Sequence, residues 1–285
     1  MSAGTFFNPV HALRGRIVGE VRAVFNDRAK GETPVKSSDD AIFPPGSVIR
    51  RVHSDVTTMM VGGTSALLLQ MLHPAALAGV LEHSNFRDDM LGRLRRTARF
   101  IAITTYADHI TAQAAIERVR AIHDRVSGTL GDGTPYHASD PHLLAWVHVA
   151  EATSFLKSRI AYAEPRMTRA DQDRYFAESA EVALRLGADP VPRTRAEAAA
   201  LIAAMRPELV ASHECREVAR LILAQRAPGA MQSSAQRLLA LAAVDLLPGW
   251  VRTMLRLEAP AAPLLTRAAT FGMAATLRWA FATRR

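Results

Sequence analysis

The chain has 285 residues, 49% of them hydrophobic and 22% charged, with a mean hydropathy of +0.03; this balance belongs to a folded protein and excludes a disordered chain. Its single cysteine, Cys215, excludes an internal disulfide and any multi-cysteine metal site. The net charge of +8 comes from 35 Lys plus Arg against 27 Asp plus Glu, with lysine only at positions 30, 36 and 157, so the excess is arginine, which either grips anions or reflects GC-rich coding.

The N-terminus, MSAGTFFNPVHALRGRIVGE, has no continuous apolar stretch and no small-residue cleavage site, so a cytoplasmic protein is expected. Apolar residues recur at three and four positions almost throughout, which predicts an all-α chain. A first helix is expected from about His11 to Phe25, then a polar, lysine-bearing linker from Asn26 to Asp40, and a turn over Ile42 to Ser47 around Pro44, Pro45 and Gly46. The charge-free run between Asp55 and Glu82 is long enough to span a membrane. Gly62, Gly63, Gln70, His73 and Pro74 divide it, however, and it reads as two buried core helices, at 63–73 and 75–82.

Further helices are expected at 89–107, 111–127, 140–162, 168–187, 195–205, 208–226, 234–257 and 261–283. Ser139, Asp140 and Pro141 offer a cap and a first-turn proline, Thr168 and Asp171 mark another helix start, and Ser127 and Gly128 end a helix. The loop from Gly128 to Asp140 is glycine-rich but lacks the GK[ST] ending of a phosphate loop. The last segment, from Pro263 onward, mixes Phe271, Met273, Trp279 and Phe281 with arginines and suits either the core or a membrane surface. The expected organisation is an N-terminal helix and mobile arm over 1–41, then one large helical domain over 42–285.

Ten histidines invite a search for a metal site, but no HExxH and no pair of ExxH motifs occurs, which removes the main support for zinc hydrolase and di-iron readings. The most informative neighbourhood is LGRLRRTARFIAITTYAD followed by AQAAIERVRAIHDRVSG. Arg93 and Thr97 share one helix face with Arg96 adjacent, and Arg120 and His123 share a face of the next helix. Two helices joined by a few residues run antiparallel, so these faces can converge on one cavity. An imidazole among arginines and apolar walls is what a haem pocket uses. The plain alternatives are a solvated face for the arginines and a core role for Trp146.

The run RRVHSDVTTMMVGGTSALLLQMLHPAALAGVLEHSNFRDDMLGRLRRTARF, then HDRVSG, then PYHASDPHLLAWVH, resembles the oxygenase family that includes fungal MpaB and the bacterial latex clearing proteins. The resemblance is strong from about Pro44 to Ala163. It implies an all-α protein binding one haem b without a covalent link. The family's Arg-x-x-His motif, whose histidine is the proximal iron ligand, matches Arg120 and His123. Its distal Arg-x-x-Lys-Thr motif matches Arg93, Arg96 and Thr97, with the lysine that can ligate iron replaced by Arg96. An arginine offers no lone pair to iron. His148, in LLAWVH, matches a pocket position.

The resemblance therefore implies an oxygenase that uses dioxygen and haem iron on an apolar, alkene-bearing, isoprenoid-like substrate. In that reading Arg93 and Thr97 are catalytic, His123 is the metal ligand, and Arg96, Arg120 and His148 help to bind the cofactor. The competing expectation is a haem-free helical protein that binds lipid or a membrane surface through its C-terminal helix. Nucleic acid is not an expected partner, because arginines alternate with acids instead of forming a basic block.

Overall fold

The computed structural model describes residues 13–20, 31–86, 88–225 and 230–282. Within these the chain is all-α apart from one two-stranded hairpin. Helix α1 covers residues 13–20; residues 11–12 and 21–25 of the expected first helix, and the linker as far as residue 30, lie outside the described residues. Beyond them, residues 33–41 run along the later helices: Thr33 accepts from the Arg99 guanidinium at 2.9 Å, Ser38 N–H donates to Tyr106 O at 2.8 Å, and Asp40 accepts from His109 N–H at 2.7 Å.

A short helix, α2 (Val48–His53), follows the Pro44–Gly46 turn, where none was expected. Ser47 provides no side-chain cap. Instead Glu178, distant in sequence, accepts from Ile49 N–H at 2.7 Å, so local propensity gives no sign of this helix. Next comes α3 (Val56–Gln70), which starts at Asp55, whose carboxylate caps Thr58 N–H. It runs unbroken through Gly62 and Gly63, seven residues earlier than expected. Helix α4 (Pro74–Glu82) turns away from α3 by 107°.

The antiparallel pair α5 (Met90–Tyr106) and α6 (His109–His123) comes next, capped by Asp89 and Asp108 respectively. Helix α6 stops at His123, four residues before the expected end at 127, and where that helix end and a loop were expected β1 (Ser127–Thr129) pairs with β2 (Pro135–His137). This hairpin turns at Gly133, whose φ of 90° favours glycine, and is fixed by buried Tyr136, whose hydroxyl donates to Glu82 at 2.5 Å.

The central element is α7 (Pro141–Tyr162). Asp140, not Ser139, caps it, accepting from His142 and Leu143 N–H with Pro141 in the first turn. Thr168 caps α8 (Arg169–Leu186) as expected, and α9 (Arg195–Met205) ends in a 3-10 turn, Arg206–Glu208. Then α10 (His213–Ala224) starts at the Ser212 cap, later than expected. The single helix expected over 234–257 is two, α11 (Ala230–Leu246) and α12 (Gly249–Leu255), bent by 115°. Pro248 lies at the break: it has no N–H to continue α11, and its ring crowds the preceding turn. Last is α13 (Pro263–Phe281).

The α3 and α7 pair forms the spine. Helices α11 and α13 cover α3, while α2, α5, α6 and α8 close around the opposite flank of α7. Core residues of α3 and α7, among them Leu68, Leu69, Trp146, Val149 and Phe155, are buried, as expected for Trp146; of the two helices expected as a buried core pair, α3 is part of this spine, while α4 buries only Ala75 and Leu77. Among the described residues no single helix is long and apolar enough to cross a membrane.

Candidate active site

A cavity of about 110 Å³ lies between α2, α5, α6, α7 and α8. Its α7 wall contains Leu144, Val147, His148 and Glu151, which share one helix face; α5 contributes Phe100, Ile101, Thr104 and Thr105; α6 contributes His123, its last residue. The Glu178 contact that caps α2 also draws α2 onto α8, and so sets His53 beside Tyr175.

The histidines differ in their surroundings. Both ring nitrogens of His53 are engaged, Nδ1 with Thr105 Oγ1 at 2.9 Å and Nε2 with the Tyr175 hydroxyl at 3.2 Å, and its ring packs edge-on against Phe155. Burial lowers its pKa to about 3, so it is neutral. His148 has a buried Nε2 without a hydrogen-bond partner, and burial lowers its pKa to about 4. His123 has a buried, unpartnered Nδ1. Burial lowers its pKa, Asp124 partly offsets this, and the nearby Arg93 charge reinforces it. Two neutral imidazoles among the cavity-lining residues therefore carry a buried ring nitrogen with no protein partner, the kind of group that can hydrogen-bond a ligand or coordinate a metal.

Arg93, Thr97, Phe100 and Thr104 are spaced four, three and four residues apart, so the α5 cavity wall continues along one face toward the start of that helix. Arg93 is part-buried, and burial, followed by the charge of Arg96, holds its guanidinium below the usual arginine range. Thr97 is exposed, its hydroxyl donating to Arg93 O at 3.3 Å. Arg96 is exposed and pairs with Asp89 at 3.4 Å. Arg120 is also exposed: it donates to Arg185 O on α8 at 3.4 Å and is not among the cavity walls.

A family model described as the catalytic domain of ER-bound oxygenase mpaB/B'/Rubber oxygenase matches residues 50–279. The chain belongs to this oxygenase family. No curated protein and no solved structure matches it. The matched span begins inside α2 and ends inside α13, so every cavity residue except Ile49 falls within the mpaB/rubber oxygenase catalytic domain.

Of the residues singled out in the sequence, His123 and His148 line the cavity and Arg93 lies near His123, whereas Arg96, Thr97 and Arg120 do not line it; His53, Glu151 and Tyr175 line it without having been singled out. Glu151 did leave a signal. It is a lone acid in the apolar run LLAWVHVAEATSF, three residues after His148 and so on the same face. Burial raises its pKa to about 7. Burial, and then the neighbouring Glu151 charge, raise that of Tyr175 well above the phenol range.

Proposed function

We propose that the protein is a haem b-dependent oxygenase that uses dioxygen on a small apolar, alkene-bearing substrate, with His123 as the iron ligand. The observation that carries the proposal is the His123 imidazole, whose buried Nδ1 has no protein partner at the wall of a largely apolar cavity. The residues fit the group in donor chemistry. Among the described residues no three His, Cys, Asp or Glu side chains converge to hold a bare metal ion, but a porphyrin brings four of iron's donors itself and needs only an axial imidazole from the protein. The cavity volume of about 110 Å³ is of substrate size. The larger porphyrin requires the α5 face beyond it, where Thr97 and Arg93 continue the wall.

Bound haem iron would supply the one-electron chemistry that dioxygen requires and that side chains lack. The chain's own residues do the rest. His123 offers a neutral lone pair, since burial and Arg93 both oppose its protonation. Arg93 supplies a positive charge beside it, suited to a propionate carboxylate or to negative charge developing on oxygen. Phe100, Ile101 and Leu144 keep water away from a greasy substrate. Arg96 and Thr97, exposed on α5, are available to a group seated there, and Arg120 ties α6 to α8 behind His123.

The test is an optical titration of purified protein with haemin. A Soret band that saturates at one haem per chain is expected, to be lost in His123→Ala and kept in His148→Ala. Failure of the wild-type protein to take up haemin overturns the proposal. It would favour instead the lipid-binding reading, which rests on Leu264 and Leu265 of α13, 79% and 69% exposed.

A further inference from the structure

The cavity is not uniformly apolar. Along α5 it is lined from Phe100 to Thr105, about 8 Å of helix axis at 1.5 Å per residue, and His123 on α6 lines it as well. The Thr105 end is polar, with His53 bonded to Thr105 and Tyr175 and with Glu151 close to Tyr175. A neutral imidazole has one N–H and one lone pair, so these two hydroxyls satisfy His53 completely. Glu151 is left over. It is the one Asp, Glu, Lys or Arg side chain among the described cavity walls, and it has no hydrogen-bond or ion-pair partner among the described residues.

We propose that this end of the cavity is a recess for the hydroxyl group of a small, otherwise apolar substrate, and that Glu151 accepts the hydrogen bond from that hydroxyl. The proposal extends the oxygenase reading above by defining the substrate's polar end. A carboxyl without a protein partner in a largely apolar cavity is costly, and a ligand hydroxyl donates to it. Other head groups fit less well. A carboxylate would face Glu151 with no arginine in the recess to offset the repulsion. An ammonium would lose its hydration for a single carboxylate contact. The volume suits a branched chain of about five carbons, somewhat below the roughly 150 Å³ that admits benzene. Such a chain extends from Glu151 toward His123, so the hydroxyl sets which carbons lie near the reacting end. Glu151 is in this sense a specificity-determining residue.

The test compares isopentyl alcohol with isohexane, in which a methyl replaces the hydroxyl, by calorimetric titration of wild-type, Glu151→Leu and Glu151→Gln proteins. Each sample is also titrated with haemin. The ratio of alcohol to hydrocarbon affinity should fall about tenfold or more in Glu151→Leu, the loss of one hydrogen bond to an ionisable group. It should fall less than about threefold in Glu151→Gln, whose amide still accepts. An unchanged ratio in Glu151→Leu, no measurable binding of the alcohol to wild type, or a larger Glu151-dependent preference for isopentylamine overturns the recess even if haemin binds. Absent haemin uptake with the ratio change intact overturns the haem reading and leaves the recess standing.

Discussion

Asp55 shows how much one side chain can hold. It is only 4% exposed; Oδ1 accepts from Thr58 N–H at 2.9 Å to start α3, and Oδ2 accepts from the Arg278 guanidinium at 2.5 Å to tie α13 to that start. The two functions separate by substitution. Asp55→Asn keeps an acceptor for the cap but loses the charge pair, at a cost of about 2 kcal/mol because Arg278 is partly exposed and can rehydrate. Asp55→Ala loses the cap as well and should cost about 1 kcal/mol more. Urea unfolding of both variants checks this, and equal losses would mean that Asp55 does not act as the cap. Residues with local chemistry are legible in the sequence in this way, Thr168 as a cap and Trp146 as core, whereas the helix face shared by Arg120 and His123 divides, His123 lining the cavity and Arg120 lying exposed outside it. The polar end of the cavity is not legible. His53, Thr105, Glu151 and Tyr175 come from four helices, and no spacing along the chain brings them together.

At the scale of elements, the difference between expectation and structure lies in what stops a helix. Gly62 and Gly63 suggested a break, since glycine costs about 1 kcal/mol inside a helix, yet α3 passes through both. The reason is packing against α7. A methyl group on Gly62 would lie 2.7 Å from Phe155 Cδ1, 3.0 Å from Phe155 Cα and 3.1 Å from Ser154 O, and two of those atoms are backbone that cannot turn aside. On Gly63 its nearest neighbour would be Phe155 Cε1 at 3.7 Å, an ordinary contact. Gly62→Ala should therefore destabilise by about 1–3 kcal/mol through overpacking of the spine. Gly63→Ala should be neutral or stabilising by up to about 1 kcal/mol. Thermal unfolding distinguishes them; equal effects would mean that α3 and α7 are not in close contact at Gly62. Pro248 was the opposite oversight, a true breaker inside an otherwise continuous apolar pattern. Helix α2 was missed because its N-terminus is satisfied by Glu178 on α8, a partner that only tertiary structure supplies.

Over the whole molecule, the cavity contributes strongly to how stability depends on pH. His53 and His148 have pKa values lowered from 6.5 to about 3 and about 4, and Glu151 has one raised from 4.5 to about 7, all chiefly by burial. The histidines are neutral in the folded protein but take up protons once unfolded below pH 6.5. Their contribution is complete above that pH and is lost as pH falls toward their folded values. Glu151 has the opposite effect: its neutral form is tolerated below 4.5, and stability is lost as pH rises from 4.5 to 7, where the unfolded chain ionises first. Between 6.5 and 4.5 these two histidines, with His123 shifted in the same direction, oppose one carboxyl, so the wild-type protein should lose stability on acidification, more steeply below 4.5 where the carboxyl no longer compensates. Glu151→Gln removes the carboxyl's part alone. Each tenfold difference in proton affinity between the folded and unfolded chain is worth about 1.4 kcal/mol, so this variant should be more stable than wild type by up to about 3 kcal/mol at pH 8 and by almost nothing at pH 4. Chemical unfolding of wild type and variant at the two pH values tests this; an equal difference at both would mean that Glu151 ionises normally in the folded protein. The cavity then has a cost that folding alone does not explain, since a leucine or glutamine at 151 would give a more stable fold at neutral pH. A carboxyl kept in such a place is understandable if a ligand completes it.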